Sequence, residues 1–357
     1  MKGTDKTVTA SAPQEKQRQF EKALAVFLEE WRNGNPTLKV KTSGSTGTPK
    51  ILEVNKENMK ASARMTCSFL GLHAGDSALL CMPLEYIAGK MVVVRAEECG
   101  LEIRPVAPCG HPFAFLEEAP AFAALVPMQV YNTLQIPRER ALLEQVRQLI
   151  IGGGAVDDEM ERILKNFPHA VWSTYGMTET LSHIALRRLN GPEASDWYTP
   201  LPGIQVGRSV GGTLVIHAPA ICKNILETND VVELLPDNRF RIKGRRDNII
   251  NSGGIKIQIE EVENTLKKHL PFKFQITAAP DARFGEILVM LYENGRSDKD
   301  NRHPDGFQEG NNALEEICRR FLPPYHIPKK YIRVNALPLT ETGKPDRAAA
   351  RNIASTI

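Results

Sequence analysis

A loop rich in glycine and hydroxyl side chains lies near the amino terminus, between two segments typical of β-strands. It reads KTSGSTGTPK, from Lys41 to Lys50. Gly44 and Gly47 allow backbone N–H groups to turn toward one point, where the serine and threonine hydroxyls add further donors. Such a concavity suits a polyphosphate. The spacing is not that of a Walker loop, so a solvated hairpin tip remains the alternative.

A second segment, STYGMTET, runs from Ser173 to Thr180. A strand that ends in an aromatic–glycine pair can lay the ring of Tyr175 against a planar base. The carboxylate of Glu179, a few residues later, could hold a magnesium ion that in turn holds phosphates. A simple turn at the end of a strand is the alternative.

An aspartate and an arginine form the third constellation. Asp230 stands in ETNDVVEL and Arg245 in KGRRDN. A carboxylate can accept hydrogen bonds from both hydroxyls of a ribose, and a neighbouring guanidinium can add a donor. The alternative is an aspartate at a strand start and a solvated basic patch of Lys243, Arg245 and Arg246.

The fourth motif is PLTETGKPDR, from Pro338 to Arg347. A lysine after a Thr-x-x-Gly turn is presented at the tip of a loop. Its ammonium group could meet charge that develops on a carboxylate or an α-phosphate during a reaction. The alternative is an ordinary surface lysine.

The segments around the first two motifs alternate between strand-like and helix-like patterns. Met59, Ala63, Thr66 and Leu70 would share one helical face behind the N-cap Asn55. RQLIIGGG, at 147–154, is typical of a buried strand that runs into a glycine turn. From about residue 20 to 218, this alternation predicts an α/β layered domain.

The carboxyl-terminal part has a different pattern. Two strand-like runs flank the turn PDN at 236–238, and a helix follows NSGG. The sequence predicts a disordered polar leader at 1–19, a large domain at 20–246, a small α+β domain at 247–357, and a surface loop at 293–312. The predicted helix of the small domain buries Ile259, Val262, Leu266 and Leu270.

Composition narrows the function classes. The chain has 357 residues, 42% of them hydrophobic, and a formal charge of +3. That length predicts two domains, and the near-neutral, dispersed charge argues against nucleic acid as a partner. No signal peptide or membrane span is evident, and the six cysteines lack zinc spacing, which indicates buried thiols and a cytoplasmic protein. Membrane partners are not expected, and a homodimer is left open.

Taken together and in this order, the four motifs resemble those of the adenylate-forming superfamily of acyl-CoA synthetases, luciferases and adenylation domains. The resemblance covers the chain from about Leu38 to Arg347. The segments YGMTETLSHIAL and RRDNIINSGGIKIQIEEVE are most similar to the o-succinylbenzoate-CoA ligases of menaquinone biosynthesis. Two features depart from the pattern: only about forty residues precede the phosphate loop, and Asn229 stands where glycine is usual.

The resemblance implies a large N-terminal α/β domain, shortened here, with a mobile C-terminal lid domain. It implies ATP and Mg²⁺ as cofactors, CoA as co-substrate and a carboxylic acid as substrate. It assigns the ATP phosphates to Thr42, Ser43, Gly44, Ser45, Thr46, Gly47 and Lys50, and the adenine and acyl pocket to Gly152, Gly153, Gly154, Ala155, Tyr175 and Gly176. It assigns catalysis to Lys344, Thr178 and Glu179, the metal to Glu179, the ribose to Asp230 and Arg245, and the hinge to Asp247.

The resemblance also implies two further sets of residues, whose roles the four motifs specify less closely. The CoA side would be formed by Ser252, Gly253, Gly254 and Lys256. Candidates for the acid pocket are Ser182 and His183, with Arg187 or Arg95 as the donor for a second carboxylate; a structural role is the alternative for His183.

Three other functions remain open at this point. The acid could be a benzoate, a coumarate-like acid or a medium-chain acid, loaded on CoA or on a carrier protein. A nucleotide-binding regulator would keep the pocket without turnover, although Glu179 and Lys344 argue against it. A structural α/β protein would require all four motifs to coincide by chance.

Overall fold

The computed structural model describes residues 12–41, 51–293, 311–340 and 345–356. Across these ranges, no helix is both long and apolar enough to cross a membrane. The helices there are α1 (Ala12–Arg32), α2 (Lys56–Leu70), α3 (Ile87–Cys99), α4 (Pro127–Gln135), α5 (Pro137–Glu144), α6 (Asp158–Leu164), α7 (Ile259–Leu266), α8 (Asn311–Phe321) and α9 (Arg347–Thr356). The strands are β1 (Thr37–Lys41), β2 (Ile51–Asn55), β3 (Ser77–Leu80), β4 (Glu102–Pro105), β5 (Phe122–Leu125), β6 (Gln148–Ile151), β7 (Ala170–Gly176), β8 (His183–Arg188), β9 (Thr199–Pro200), β10 (Gln205–Arg208), β11 (Thr213–His217), β12 (Leu226–Leu234), β13 (Phe240–Arg245), β14 (Ile249–Ser252), β15 (Ile255–Gln258), β16 (Phe274–Asp281), β17 (Gly285–Glu293) and β18 (Lys330–Val334).

A seven-stranded sheet in the order β4-β3-β5-β6-β7-β8-β9 positions the first candidate site. The strands from β4 to β7 are parallel, whereas β8 and β9 return antiparallel. The parallel strands β5 and β6 read FAAL and QLII and are almost wholly buried, as expected for strands covered on both faces. The chain order reverses beside β3, and ligands of such sheets bind outside the carboxyl ends of the strands near the reversal.

Helix α2 forms as its sequence predicts. The side-chain oxygen of Asn55 accepts hydrogen bonds from the backbone N–H groups of Glu57 and Asn58, at 2.8 and 3.4 Å. Gly71 ends the helix in the left-handed conformation, with φ of 62°. The four residues of the predicted face are buried: Met59, Ala63, Thr66 and Leu70. Helix α2 packs against α3.

The expectation of a disordered leader through residue 19 is wrong for 12–19, which belong to α1. Two causes are visible. Phe27 and Trp31 are buried farther along the helix. The amide side chain of Gln17 donates to the carbonyl of Pro105 at 2.9 Å and accepts from the N–H of Ala107 at 2.8 Å. A polar helix start is therefore held by hydrogen bonds that composition does not reveal.

The chain separates into two compact units, the first comprising Met1–Gly207, Val215–Leu226 and Leu234–Arg241. The second comprises Arg208–Leu214, Glu227–Glu233 and Ile242–Ile357. The predicted division after residue 246 falls inside the second unit. The reason is that the segment containing Asp230 and the end of β13 both associate with the carboxyl-terminal part of the chain.

The second unit has its own core and its own sheet, in the order β15-β14-β17-β16, with β18 parallel to β17. One face packs on α7 and α8, and the other on α9 through Val289, Leu291 and Ala350. This is the predicted α+β arrangement. The predicted apolar face of α7 is buried, as expected: Ile259, Val262, Leu266 and the following Leu270.

Candidate active site

The predicted glycine turn follows β6, at the carboxyl edge of the large sheet. The N–H of Gly152 donates to the carbonyl of Leu125 at 3.0 Å, which joins the ends of β5 and β6. A Cβ at Gly152 would collide with the hydroxyl of Thr174 on β7, and Gly153 adopts φ of 77°. The turn therefore needs glycine for close approach and for backbone conformation, and it leaves Gly154 and Ala155 at the same edge.

The Tyr175–Gly176 pair ends the neighbouring strand, β7, and leads into a tight turn. A Cβ at Gly176 would collide with the carbonyl of Ser182 across the β7–β8 pair. Thr180 is buried, and its hydroxyl lies within hydrogen-bond distance of the carbonyls of Ser182 and Met177, at 2.8 and 3.0 Å. This turn presents Thr178 partly exposed and Glu179 fully at the surface.

The ring of Tyr175 lies in an aromatic cluster and is only 8% exposed. It packs edge-on against Phe240 at 5.2 Å and tilted against Tyr198 at 6.0 Å, measured between ring centroids. Tyr198 and Phe240 stack on each other at 5.6 Å. Sequence reasoning missed these two partners, because they come from distant segments without a shared spacing. Stacking of Tyr175 on adenine stays a prediction.

A buried polar cluster joins the two predicted acid-pocket residues to α2 and α3. One terminal nitrogen of Arg95 donates to the hydroxyl of Ser182 at 2.5 Å. The ring of His183 lies 3.4 Å from the same hydroxyl through Nδ1 and 3.0 Å from the Thr66 hydroxyl through Nε2. Thr66 in turn donates to the carbonyl of Ser62 at 3.1 Å. The cluster therefore forms one chain of hydrogen bonds, running from Arg95 to Ser62.

The charge of Arg95 has no anionic partner among the residues that the structure describes. Arg95 is 2% exposed, its Nε is buried without a hydrogen bond, and burial lowers its pKa to about 10. Arg187, the other predicted donor, is not available in the same way. It forms an ion pair with Glu161 at 2.8 Å and lies 3.6 Å from Asp196. Of the two candidates, Arg95 is the one that lies in the cluster and has no carboxylate partner within the described part of the chain.

His183 is neutral at neutral pH. Burial, together with the repulsion of the Arg95 charge, holds its pKa well below the usual value. Because the Thr66 hydroxyl already donates to a carbonyl, Nε2 of His183 donates to Thr66, and Nδ1 is left as an acceptor facing Ser182. This arrangement agrees with a positioning role, since the ring holds the Ser182 hydroxyl beside Arg95.

The second unit holds another group of predicted residues around Arg245. The guanidinium binds Asp247 through two hydrogen bonds of 2.9 and 2.7 Å and reaches Asp230 at 3.4 Å. Burial opposes ionisation of Asp247, but the hydrogen bonds and charge of Arg245 lower its pKa. Gln258, which the sequence did not indicate, donates to the carbonyl of Arg245 at 2.8 Å. The predicted ribose pair and the predicted hinge residue are thus in direct contact.

The predicted CoA-side residues lie on one hairpin, formed by β14 and β15. Its two turn residues are Gly253 and Gly254, with φ of 60° and 84°. Positive φ at both positions is typical of the tight turn that matches the twist of paired strands. The N–H of Gly253 donates to the carbonyl of Phe284 at 2.8 Å, and Lys256 is exposed. The hairpin thus presents Ser252 and Lys256 from a fixed backbone.

Two predicted parts of the site lie outside the described residues. They are the phosphate loop, with Thr42, Ser43, Gly44, Ser45, Thr46, Gly47 and Lys50, and the catalytic Lys344. The described residues beside each are paired: Lys41 lies opposite Ile51 in the β1–β2 ladder, and Leu339 forms a bridge with Pro345. The roles predicted for these residues stay predictions.

Comparison with known proteins identifies the family. The model of the family described as "AMP-binding enzyme" matches residues 5–215. A "2-succinylbenzoate--CoA ligase" of Salmonella typhimurium is 27% identical over 77% of this chain and 62% of its own length. One of Listeria monocytogenes is 25% identical over 90% of this chain and 71% of its own length. The chain thus spans less than two thirds of the Salmonella relative.

Solved structures agree with this result. An "acyl-CoA synthetase (AMP-forming)/AMP-acid ligase II-like protein" from Dyadobacter fermentans is 33% identical and covers 96% of this chain and 94% of its own, with a TM-score of 0.62. An o-succinylbenzoate coenzyme A synthetase from Bacillus subtilis, in complex with ATP and magnesium ion, has a TM-score of 0.69 at 21% identity, over 87% of this chain and 68% of its own. The predicted fold is confirmed, and the chain belongs to the AMP-binding enzyme family, the adenylate-forming proteins that its motifs resemble.

Proposed function

We propose that the chain is an ATP-dependent acid–thiol ligase, which adenylates a carboxylic acid and then transfers the acyl group to CoA. Membership of the family supports the nucleotide chemistry. The Gly152–Ala155 turn and the Thr178–Glu179 turn support it as well, because both lie at the edge of the sheet where ligands of such folds bind. The names of the Salmonella and Listeria relatives support the thiol acceptor.

The chemistry explains why such a site needs hydroxyl and cationic donors. A carboxylate resists attack by a thiol because its carbon is electron-rich and its oxygen is a poor leaving group. In the first half-reaction an oxygen of the acid attacks the α-phosphorus of ATP, and pyrophosphate leaves. Negative charge builds on the phosphate oxygens, where Thr178, the 42–50 loop and Lys344 would donate. In the second, the CoA sulfur attacks the acyl carbon and AMP leaves.

The described residues fit a magnesium ion held mainly by substrate phosphates. Glu179 is exposed and forms no ion pair with another described side chain. No group of three or more acidic, histidine or cysteine side chains in the described ranges could hold a metal by itself. Mg²⁺ commonly binds through one or two carboxylates, water and phosphates, which matches a single glutamate. When bound, the ion would supply positive charge to the phosphates.

Residues of the second unit are given the remaining roles. Asp230 and Arg245 would bind the ribose hydroxyls, and Asp247 would serve as the hinge between the two half-reactions. The hairpin of Ser252, Gly253, Gly254 and Lys256 would meet CoA. Support comes from the direct contact of Arg245 with both aspartates and from the fixed turn of the hairpin.

The acid that fits best carries a second carboxylate, as o-succinylbenzoate does. The observation that carries this proposal is the Arg95 guanidinium, buried beside Ser182 and His183 without a described anionic partner. A buried charge is costly unless it is paired and hydrogen-bonded. A carboxylate bound at Arg95 would supply that pair. A benzoate, a coumarate-like acid or a medium-chain acid has no second carboxylate and would leave the charge uncompensated.

The test is a panel of acids. The purified protein is incubated with ATP, Mg²⁺, CoA and o-succinylbenzoate, and in parallel with aryl and aliphatic acids that carry one or two carboxylates, and products are read by mass spectrometry. We expect AMP and the acyl-CoA of the aryl dicarboxylate far above the others. Equal turnover of monocarboxylates would overturn the acid assignment alone. No AMP with any acid would overturn the ligase proposal and favour a nucleotide-binding regulator.

Lys344 provides a test of the reaction order. Loss of one well-placed charge-stabilising donor typically lowers a rate by about 10²–10³-fold. We expect Lys344→Ala to reduce adenylate formation at least that much, with less effect on thioester formation from preformed acyl-AMP. Lys267→Ala, at an exposed position after α7, is the matched control. Equal loss in both half-reactions would refute the assigned role.

A further inference from the structure

Both ends of the segment 339–345, which carries Lys344, are anchored. We call this segment the lysine loop; the structure describes its residues 339, 340 and 345. The bridge described above joins its first residue to its last. Directly outside the loop, the carbonyl of Pro338 accepts a hydrogen bond from the N–H of Asp346 at 3.0 Å. The chain therefore closes on itself on both sides of the loop.

A side chain on β16 ties the near end of the loop to the sheet of the second unit. The amide nitrogen of Gln275 donates to the same Pro338 carbonyl at 3.0 Å, and Gln275 is 3% exposed. The amide oxygen is buried without a hydrogen bond to any described residue. A buried oxygen without a partner lowers stability. The bond to Pro338 is therefore what a glutamine contributes at this position.

Two residues beyond the loop, the chain enters an ion pair that is largely buried. Arg347, the first residue of α9, donates to both carboxylate oxygens of Glu263 on α7, at 2.6 and 2.7 Å. The two side chains are 24% and 7% exposed. Asp346 caps the start of α9, since its carboxylate accepts the N–H of Ala349 at 2.9 Å. The far end of the loop is therefore fixed in position and in direction.

The ion pair also binds the backbone of β16, the last strand in the order of its sheet. Glu263 accepts the N–H of Ile276 at 2.9 Å, and Arg347 donates to the carbonyl of Ile276 at 3.2 Å. An edge strand otherwise leaves such groups unpaired. Because Ile276 follows Gln275, both ends of the lysine loop are tied to adjacent residues of one strand. We call Glu263, Gln275 and Arg347 the loop clamp.

Stability alone does not account for the two charges of the loop clamp. Replacement of a buried ion pair by apolar side chains of similar volume is often neutral or stabilising. A bidentate arginine–carboxylate pair adds geometry, because its two parallel hydrogen bonds fix both distance and orientation. A donor that stabilises developing charge needs such precision, since it acts only when it is already in place.

We propose that Glu263, Gln275 and Arg347 are positioning residues for the adenylation half-reaction, and that they act by fixing both ends of the lysine loop. This inference rests on the proposed function, in which Lys344 stabilises the charge that develops as the acid attacks ATP. The three side chains act through Lys344 and need no contact with a substrate. Thioester formation from acyl-AMP does not depend on that charge stabilisation, so it does not depend on the loop clamp.

The first measurement does not depend on turnover. Hydrogen–deuterium exchange of a peptide that contains residues 339–347 is followed by mass spectrometry in the wild-type protein, in Glu263→Gln and in Arg351→Met. Arg351 lies one turn farther along α9, is half-exposed and pairs with Glu286, which makes it the matched control. We expect exchange about tenfold faster in Glu263→Gln and unchanged in the control. Equal exchange in all three proteins would overturn the proposal.

Separate assays of the two half-reactions distinguish positioning from a purely structural role. Glu263→Gln should slow adenylate formation by about 10–10²-fold and leave thioester formation from preformed acyl-AMP within about threefold.

The double variant Glu263→Met/Arg347→Met guards against a folding defect. It removes both charges, so it should be at least as stable as the wild-type protein in chemical denaturation and still form adenylate slowly. Equal losses in both half-reactions, or wild-type adenylate formation by a stable double variant, would overturn the positioning role. No AMP from the wild-type protein with any acid would overturn the ligase proposal and with it the role in adenylation, whereas faster exchange in Glu263→Gln would still support the loop clamp itself.

Discussion

Two arginines, one in each unit, are in opposite situations. Arg95, in the first unit, is 2% exposed, and no described carboxylate pairs with it. Arg245, in the second unit, has a side chain 39% exposed and contacts two carboxylates, Asp247 and Asp230. Burial lowers the pKa of Arg95, whereas the hydrogen bonds of Asp247 raise the pKa of Arg245. A buried cation that lacks an anion is suited to receive one from a ligand, whereas a cation already paired with two carboxylates is suited to hold those carboxylates in position.

The physical reason is the difference in solvation. Water and nearby carboxylates compensate the Arg245 charge, so this exposed network contributes little to stability, typically below about 1 kcal/mol per pair. The Arg95 charge is removed from water, and its hydrogen-bond partner among the described residues is the Ser182 hydroxyl. A protein that retains such a group gives up stability. Under the proposed function, recognition of the acid is the reason that Arg95 is kept.

Replacing Arg95 by methionine would have the largest effect. Loss of one partner of a buried charge pair costs about 2–5 kcal/mol in binding. We therefore expect Arg95→Met to lower kcat/KM for the dicarboxylic acid by about 10²-fold, with a smaller effect on a monocarboxylate. The unfolding free energy should be unchanged or higher, because an apolar side chain of similar volume removes a buried charge. Steady-state kinetics and chemical denaturation give the two readouts.

Arg64→Met is the matched control for this prediction. Arg64 lies on α2, its side chain is 56% exposed, and it is paired with Glu98. Its replacement should change neither the acid kinetics nor the stability by much. If Arg95→Met destabilised the fold and slowed all acids equally, Arg95 would be a structural residue and the contrast with Arg245 would fail.

Substitutions of the two aspartates that contact Arg245 test the two roles proposed for the second unit, which are ribose binding and the hinge. Hydrogen bonds to a charged group contribute about 1.5–3 kcal/mol, so Asp230→Asn should raise the KM for ATP about tenfold or more. Asp247→Asn removes the closer partner of Arg245 and should leave the KM for ATP within about threefold while slowing the thioester step. Separate assays of the two half-reactions check both. If Asp247→Asn raised the KM for ATP more than Asp230→Asn does, Asp247 would be the ribose-binding residue and Asp230 the hinge.

His183 gives the pH dependence of the buried cluster. Its pKa is held well below 6.5 in the folded protein, so the unfolded chain takes up a proton that the native state refuses. His183 therefore does not lower the unfolding free energy above about pH 6.5. Below that pH, it lowers the unfolding free energy by up to about 1.4 kcal/mol per pH unit. In His183→Gln, the denaturation midpoint should depend less on pH between pH 6.5 and 5. An equal dependence of the midpoint on pH in the wild-type protein and in His183→Gln would contradict a neutral buried His183.

Local features of this fold could be predicted from sequence, whereas the buried polar cluster of Arg95, Ser182 and His183 could be predicted only in part. The capped helix α2, the glycine turn after β6 and the apolar face of α7 follow from spacing within a few residues. Arg95 and Ser182 are 87 residues apart and meet because β8 returns antiparallel beside β7. That contact depends on strand order. No local pattern encodes it, so Arg95 could be named as a candidate but not distinguished from Arg187.

The smallest effect is expected at Arg246, next to Arg245 in the basic patch of the second unit. Arg246 is half-exposed, lies 3.3 Å from Glu227 and donates to the side chain of Asn229 at 2.8 Å. Exposed pairs of this kind contribute at most about 1 kcal/mol, so Arg246→Ala should change the unfolding free energy by less than that amount. Since Arg245 is the residue that contacts Asp230, the KM for ATP should stay within about twofold. If Arg246→Ala raised the KM for ATP as much as Asp230→Asn does, the whole basic patch, and not one aspartate–arginine pair, would bind the nucleotide.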